Sequence, residues 1–285
     1  MGLGNQVKTV LLLGLLTGLL LVVGRLIGGQ TGLFVALILS VLMNFGAYWF
    51  SDKIVLMMYK AKPADKKAHL HLHKIVEEVA AAANIPKPKV YIIPTEAANA
   101  FATGRSPKHA AVACTEGIMK LLTDKELKGV IAHEISHVKN RDVLVTTIAA
   151  TIAGVISYLA HMAQFAAIFG GGRRDDSRGG GNAIGLLALA IITPIIALIL
   201  QLAISRSREY LADHSGATII KDGEALASAL TKLDKAALHH RIGFGNEATA
   251  SLFIVNPLKG QALMSLFSTH PSLEARIQRL RSLKF

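Results

Sequence analysis

The sequence predicts a mainly α-helical membrane protein, with four membrane-embedded helices and an extramembrane domain that contains a small β-sheet. Just over half of the 285 residues are hydrophobic, and the mean hydropathy of +0.44 is too high for an ordinary soluble domain. Much of this apolar sequence lies in four long segments. The polar stretches between them contain apolar residues at helical spacing and a few short runs typical of strands.

The composition limits the possible partners and sites. The chain has one cysteine, Cys114, so neither an intramolecular disulfide nor a thiol-rich metal site can form. The formal net charge is +12, but no motif combines basic and aromatic residues, so we expect no nucleic-acid partner. Retention of lysine and arginine on the cytoplasmic side of membrane spans explains the charge better.

The first two apolar segments predict a membrane hairpin. They run from about Val7 to Ile27 and from Leu33 to Phe50, and a glycine-rich linker between them predicts a tight turn. A signal peptide is the alternative for the first segment, but no clear small-residue cleavage site follows it. Trp49 lies near the end of the second segment, where interfacial aromatic residues belong. Several lysines follow soon after and mark the cytoplasmic side, so both termini should be cytoplasmic.

The first polar stretch predicts a helix and three strands before its main motif. The helix runs from His69 to Ala83, and a strand is expected at residues 90–93. His69 and His73 share a helical face and could bind a metal, although a solvated helix start explains them better. Two further strands are expected at residues 99–104 and 110–115, joined by a turn.

The strand at residues 99–104 is the candidate substrate-binding element. Its small residues, beside a catalytic helix, suit a sheet edge that pairs with an extended peptide. A plain buried hairpin is an equally good interpretation of the spacing. The candidate substrate-binding residues are Asn99, Ala100, Phe101, Ala102 and Thr103.

A His-Glu-x-x-His motif predicts a catalytic zinc site. His133 and His137 are four residues apart, so both imidazoles lie on one helical face and can reach the same ion. Glu134 projects beside them and can take a proton from a metal-bound water. Thr123 and Glu126 form a capping box at the start of this stretch. The motif therefore lies on a genuine helix.

Catalytic zinc needs three protein ligands and an open position, so a third ligand must come from elsewhere in the chain. On spacing alone the candidates are Glu209, Asp213, His214 and His270. Glu209 and Asp213 share a helical face, so one could bind the metal while the other orients a ligand. His270 is also the candidate donor to the oxyanion of the reaction, with a surface histidine at a helix N-terminus as the alternative.

The third and fourth apolar segments, Val143–Phe169 and Ala183–Ile204, predict a second membrane hairpin. A loop rich in glycine and arginine joins them. Because its three arginines fit poorly on the external side, a shallow hairpin that does not fully span is the alternative. Polar sequence then returns and ends in a helix from Pro271 to Leu283. The expected units are a first hairpin (1–52), the first part of the catalytic domain (53–142), the second hairpin (143–204) and the second part of the catalytic domain (205–285).

Taken together, the motifs resemble the HtpX family of membrane-bound zinc metalloproteases, relatives of the membrane CaaX prenyl proteases. The resemblance covers essentially the whole chain. It implies a zincin-like catalytic domain with one zinc ion, Glu209 as third ligand and Asp213 as the partner of a ligand. The matching stretches are Asn99–Gly104 (NAFATG), His133–Asp142 (HEISHVKNRD), Ser205–Asp213 (SRSREYLAD) and Ser268–Pro271 (STHP).

The resemblance also implies a cellular role. It implies a multi-pass protein of a prokaryotic cytoplasmic (inner) membrane, with the catalytic domain facing the cytoplasm. It implies hydrolysis of misfolded or damaged membrane proteins, or of unfolded polypeptides, in stress-linked quality control. Prenyl-protein processing is the closest alternative, but it needs more spans than this chain has. A transporter would need a relay of ionisable residues within the spans, which is not found, and a catalytically inactive scaffold would not need the intact motif.

Overall fold

The computed structural model describes residues 3–149, 151–152, 206–237 and 271–285. The predicted combination of many helices with one small sheet is confirmed. The helices are α1 (Leu3–Met58), α2 (Leu70–Ala82), α3 (Glu116–Leu121), α4 (Asp124–Asn140), α5 (Arg206–Ile220), α6 (Gly223–Ala237) and α7 (Leu273–Arg281). The strands are β1 (Lys62–Pro63), β2 (Lys89–Ile93), β3 (Ala100–Gly104) and β4 (Ala110–Thr115).

Helix α1 reverses its direction at Gly29. This residue has a φ of 57°, a left-handed conformation that glycine adopts without a Cβ clash. The side-chain amide of Asn44 donates to the hydroxyl of Thr17 at 2.8 Å, across 27 residues of sequence. A straight helix of that length would separate the two residues by about 40 Å. The reversal agrees with the tight turn that the glycine-rich linker predicts.

The prediction of four membrane helices is only partly matched by the described residues. Gly29–Met58 is long and apolar enough to cross a membrane, and Val7–Val22 is a shorter apolar helix. The second segment was predicted to end at Phe50, but the helix continues to Met58. Residues 143–149 are helical, in agreement with the start of the third segment. The remainder of that segment, the glycine-rich loop and the fourth segment lie outside the described residues.

The sheet has the strand order β1-β2-β4-β3, with β2 and β4 parallel and both outer pairs antiparallel. The three predicted strands are therefore confirmed. Strand β1 was not predicted, because two residues are too few to show the alternation that identifies a strand. Strand β3 forms one edge of the sheet beside α4, with Ala102 opposite Val112 of β4.

Helix α4 lies at the centre of the core and packs against α2, α5, α6 and the sheet. The predicted capping box is present: Thr123 accepts from the backbone N–H of Glu126, and Glu126 accepts from that of Thr123. Glu126 also accepts from Ser228 at 2.6 Å and from Lys232 at 2.7 Å, both on α6. Burial opposes ionisation of this carboxyl, but the four hydrogen bonds lower the pKa of Glu126 to about 2.

A glycine allows α5 to lie very close to α4. A Cβ at Gly216 would be 2.9 Å from the backbone nitrogen of His133 and 3.0 Å from the carbonyl carbon of Ala132. Only a residue without a side chain permits this helix–helix distance. The close packing brings the first turns of α5, which contain Glu209, towards the motif on α4.

Candidate metal centre and active site

Three of the predicted metal-binding residues meet between α4 and α5. The Nε2 atoms of His133 and His137 are 3.2 Å apart. Across from them, Glu209 places Oε1 3.5 Å from Nε2 of His137 and Oε2 3.8 Å from Nε2 of His133. One donor atom from each residue lies within 4.8 Å of the others. Two imidazole nitrogens and a carboxylate oxygen form a donor set that suits catalytic zinc, so these residues fit a divalent ion.

Each of these histidines directs its other ring nitrogen towards a buried carboxylate. Nδ1 of His133 lies 2.9 Å from Oδ1 of Asp213. Nδ1 of His137 lies 3.1 Å from Oδ2 of Asp142. Carboxylates in this position fix the orientation of the ring and its tautomer, so that Nε2 can bind a metal.

Glu134 contacts the edge strand directly. Its buried Oε2 accepts a hydrogen bond from the backbone N–H of Ala102 at 2.8 Å. Burial raises the pKa of Glu134, while the neighbouring His133 and His137 act in the opposite direction. The structure therefore brings the candidate general base and the candidate substrate strand into contact.

The candidate substrate-binding residues of β3 differ in their surroundings, although all are buried. Phe101 packs its ring against Tyr59, 5.4 Å between centroids, and so faces the core. The hydroxyl of Thr103 lies 3.2 Å from that of Thr147 in the helical stretch that follows α4. Asn99 accepts from the N–H of Ala100 through its side chain. Within the predicted set, Ala102 donates a hydrogen bond into the active site.

Comparison with known proteins decides the family. A family model described as peptidase family M48 matches residues 66–284. The chain belongs to peptidase family M48. Relatives named "Protease HtpX homolog" come from Aquifex aeolicus (57% identity, 92% of this chain and 88% of that protein), Persephonella marina (54%, 97% and 96%) and Syntrophobacter fumaroxidans (52%, 98% and 100%). The crystal structure of S. mikatae Ste24p is similar with a TM-score of 0.49 and 17% identity; the alignment covers 97% of this chain and 65% of that one.

The family assignment confirms the predicted enzyme class. This M48 peptidase is a metalloprotease of the HtpX type, and the resemblance drawn from its motifs is correct. The apolar helix at Gly29–Met58 is consistent with a membrane protein. Its three clustered donor residues form a possible metal site.

Asp142 lies next to the candidate metal site, although it was not among the predicted site residues. Arg141 has a left-handed φ of 58° and ends α4. The N–H of Asp142 then donates back to the carbonyl of His137 at 3.3 Å, and its carboxylate lies beside Nδ1 of that ring. Burial opposes charge on that ring, but Asp142 and Glu209 together raise the pKa of His137 to about 10. Two signals in the sequence pointed to it: an acidic residue stands five positions after a motif histidine, and Asp142 ends the matching stretch His133–Asp142.

Arg276 on α7 is a second missed residue. Its guanidinium, 2% exposed, donates from Nε and Nη2 to the two oxygens of Asp213 at 2.8 and 2.7 Å, and Nη1 lies 3.8 Å from Oε2 of Glu209. Burial of Asp213 disfavours its charge, but Arg276 more than compensates and keeps the pKa of that carboxyl low. A signal was present, because Arg276 occupies the helical face of α7 that Leu273 and Leu280 share.

Arg208, next to Glu209 on α5, adds a further positive charge. Its Nη1 and Nη2 atoms are buried and have no hydrogen-bond partner within the part of the chain that the structure describes. Burial lowers the pKa of Arg208, and the charges of Asp142 and Glu209 oppose that change. Two arginines, Arg208 and Arg276, therefore oppose the negative charge of the buried carboxylates of the site. His270, the predicted oxyanion donor, lies outside the described residues.

Proposed function

We propose that this M48 peptidase is a zinc-dependent endopeptidase of a prokaryotic cytoplasmic membrane. It cleaves misfolded or damaged membrane proteins, and unfolded polypeptides, from the cytoplasmic side. The observation that carries this proposal is the convergence of His133, His137 and Glu209 on one point, with Glu134 beside them. An orienting carboxylate behind each histidine is what a catalytic zinc site requires.

The residues around this point support a division of roles. When bound by the two histidines and Glu209, zinc would act as a Lewis acid and lower the pKa of a bound water. Glu134 is placed to accept a proton on its carboxylate and to return it to the leaving amide nitrogen. Its hydrogen bond from Ala102 holds the carboxylate in position. Asp142 and Asp213 hold the two imidazole rings, and Arg276 keeps Asp213 in place.

The sheet edge supports recognition of extended peptide backbone. Just before β3, the carbonyl of Asn99 accepts from the N–H of Thr115 of β4, so the N–H of Ala102, three residues on, points to the opposite side. A peptide that adds to this edge of the described sheet would run past Glu134. Recognition through backbone groups suits an enzyme that acts on unfolded chains of varied sequence. We therefore assign substrate binding to residues 99–103.

His270 is proposed as the donor to the oxyanion. It lies six residues before Arg276, whose guanidinium is fixed at Asp213. Six residues span at most about 20 Å even when fully extended, so His270 is close enough to reach the cleft. A neutral or charged imidazole can donate a hydrogen bond to developing negative charge.

The proposed topology places both termini and the catalytic domain in the cytoplasm. Labelling of a single cysteine tests this in sealed vesicles of known orientation. A cysteine introduced at Ser251 in a Cys114→Ser background should react only from the cytoplasmic side. Reaction only from the external side would reverse the topology.

Substitution of the general base tests the catalytic proposal. Glu134→Gln should retain zinc, because Glu134 is not one of the ligands, but it should lower the rate of casein cleavage at least about a hundredfold. Glu116→Gln, at the start of α3, is the matched control and should cleave normally. Zinc content and cleavage are measured on the same purified samples. Near-normal turnover by Glu134→Gln would refute the assignment.

A further inference from the structure

Aromatic and basic side chains meet where α1 approaches the loop between β3 and β4. This group, here termed the interfacial patch, consists of Trp49, Phe50, Lys53 and Arg105, together with the exposed Lys108 of the same loop as Arg105. Trp49 and Phe50 are 42% and 45% exposed. The guanidinium of Arg105 lies 4.6 Å from the centre of the Trp49 ring, and the ammonium of Lys53 lies 5.4 Å from that of Phe50. The patch therefore presents exposed rings with cations stacked on them.

The patch has an excess of positive charge. The loop between β3 and β4 contains Arg105, Lys108 and His109 but no acidic residue. Exposed lysines elsewhere are often paired with carboxylates, for example Lys87 with Glu77. No ion pair of Lys53, Arg105 or Lys108 with a carboxylate is found within the described ranges, although Asp52 adjoins Lys53 in sequence. These cations are therefore available to an anionic partner.

The position of the patch identifies that partner. Trp49 and Phe50 follow the apolar stretch that begins at Gly29, within the helix that is long enough to cross a membrane. Tryptophan rings favour the headgroup level of a bilayer, because one part of the ring is apolar and its N–H is polar. Each lysine or arginine near an anionic membrane surface adds to the attraction between protein and membrane. Arginine in addition binds phosphate oxygens with two parallel hydrogen bonds.

We propose that the interfacial patch binds the headgroups of anionic phospholipids and thereby sets the height of strand β3 above the membrane. This inference depends on the membrane placement of α1 in the proposed function. It adds a lipid class, a surface of named residues and a consequence for the active site. The docking contact is made by the loop that leads directly out of the substrate strand.

The consequence for the active site follows from the connection between patch and cleft. Arg105 immediately follows Gly104, the last residue of β3. Ala102 lies two residues earlier, about 7 Å along an extended strand. The N–H of Ala102 donates to Glu134 at 2.8 Å. Arg105 is three residues from Ala102, so the candidate general base is about 13 Å along this path from a residue stacked on the interfacial tryptophan, at the level where a chain leaves the bilayer.

The fluorescence of Trp49 tests the proposal, because Trp49 is the only tryptophan of the chain. The full-length protein is reconstituted in phosphatidylcholine vesicles that contain about a quarter phosphatidylglycerol. In one preparation the phosphatidylglycerol carries brominated acyl chains, and in the other an equal amount of phosphatidylcholine does. Brominated phosphatidylglycerol should quench Trp49 about twofold more strongly, because two or more cations recruit the anionic lipid.

Charge removal then identifies the residues responsible. In the double variant Arg105→Gln and Lys108→Gln, both brominated lipids should quench equally. Lys284→Gln removes one exposed charge at the C-terminus and should keep the preference. Equal quenching in the unaltered protein would overturn the proposal even if the variants failed to fold, and so would an undiminished preference in the double variant.

A third result separates this proposal from the proposed function. Absence of quenching by either lipid would place Trp49 away from the bilayer and would overturn both the lipid site and the membrane placement of α1. Cleavage of casein by the same preparation in detergent tests the proteolytic activity independently. Loss of lipid preference with intact cleavage would overturn only the lipid proposal.

Discussion

Gly216→Ala should move one metal ligand away from the other two. The added Cβ would lie 2.9 Å from the backbone nitrogen of His133, whereas ordinary contacts of a Cβ begin at 3.4 Å. Because the obstructing atoms belong to the backbone of α4, helix α5 must shift by about 0.5 Å. Helix α5 also carries Glu209, and distances between zinc and its ligands tolerate only about 0.2 Å. The shift should therefore weaken zinc binding strongly while it destabilises the fold only slightly.

The expected energies follow from the same geometry. Overpacking lowers the free energy of unfolding by about 1–3 kcal/mol, and the higher helix propensity of alanine than of glycine offsets about 1 kcal/mol of this loss. The net loss of stability should be about 0–2 kcal/mol, so Gly216→Ala should still fold. Zinc affinity should fall about 10–100-fold, the range seen when the support of a metal ligand is disturbed.

The assay compares zinc affinity, by competition with a chelator, and melting temperature on the same purified samples. Gly46→Ala is the first control, because a Cβ there meets nothing within 4 Å, and it should change neither quantity. Gly117→Ala is the second control. Its Cβ would clash with the backbone carbonyl of Glu96, and neither α3 nor the segment that contains Glu96 carries a ligand, so stability should fall while zinc affinity stays. A folded Gly216→Ala with undiminished zinc affinity would refute the argument.

Three further predictions concern Glu126, Asp213 and Ala102. Glu126→Gln should lower stability by about 1–2 kcal/mol at pH 7, after allowance for the partly exposed Lys232. The pKa of Glu126 in the folded protein lies below the ordinary value of 4.5, so the difference in stability between variant and unaltered protein should persist above pH 4.5 and vanish towards pH 2. Melting temperatures that differ equally at all pH values would contradict this. Asp213→Ala should weaken zinc binding about 10–100-fold without abolishing it, and unchanged competition with a chelator would argue against its role. Ala102→Pro removes the N–H that Glu134 accepts, so cleavage should fall while zinc is retained; a normal rate would exclude β3 from catalysis.

Local signals in the sequence predicted most of the fold that positions the site. The capping box of Thr123 and Glu126 and the helical spacing after it define α4, because both depend on residues within one or two turns. The hairpin of β3 and β4 follows from two short runs with a turn between them. His133, Glu134 and His137 were found for the same reason, since their relation is contained in one helix.

Long-range contacts account for what the sequence did not predict. Asp142 reaches His137 because Arg141 takes a left-handed conformation. That conformation could not be predicted, because position 141 holds neither glycine nor asparagine, the residues that usually adopt it. Arg276 reaches Asp213 across 63 residues, and spacing carries no information over that distance. Sequence spacing also could not decide which residue is the third metal ligand among the candidates Glu209, Asp213, His214 and His270. In the structure Glu209 faces both motif histidines.

The most direct test of the central claim is the zinc content of Glu209→Ala. The claim is that α4 and α5 together hold one catalytic zinc through His133, His137 and Glu209. Purified unaltered protein, and the control Glu224→Ala on α6, should each contain one zinc per chain in the presence of micromolar chelator. Glu209→Ala should contain less than about a tenth of that amount and should not cleave casein, because two histidines alone leave the ion short of a ligand. Full zinc occupancy in Glu209→Ala would contradict the account.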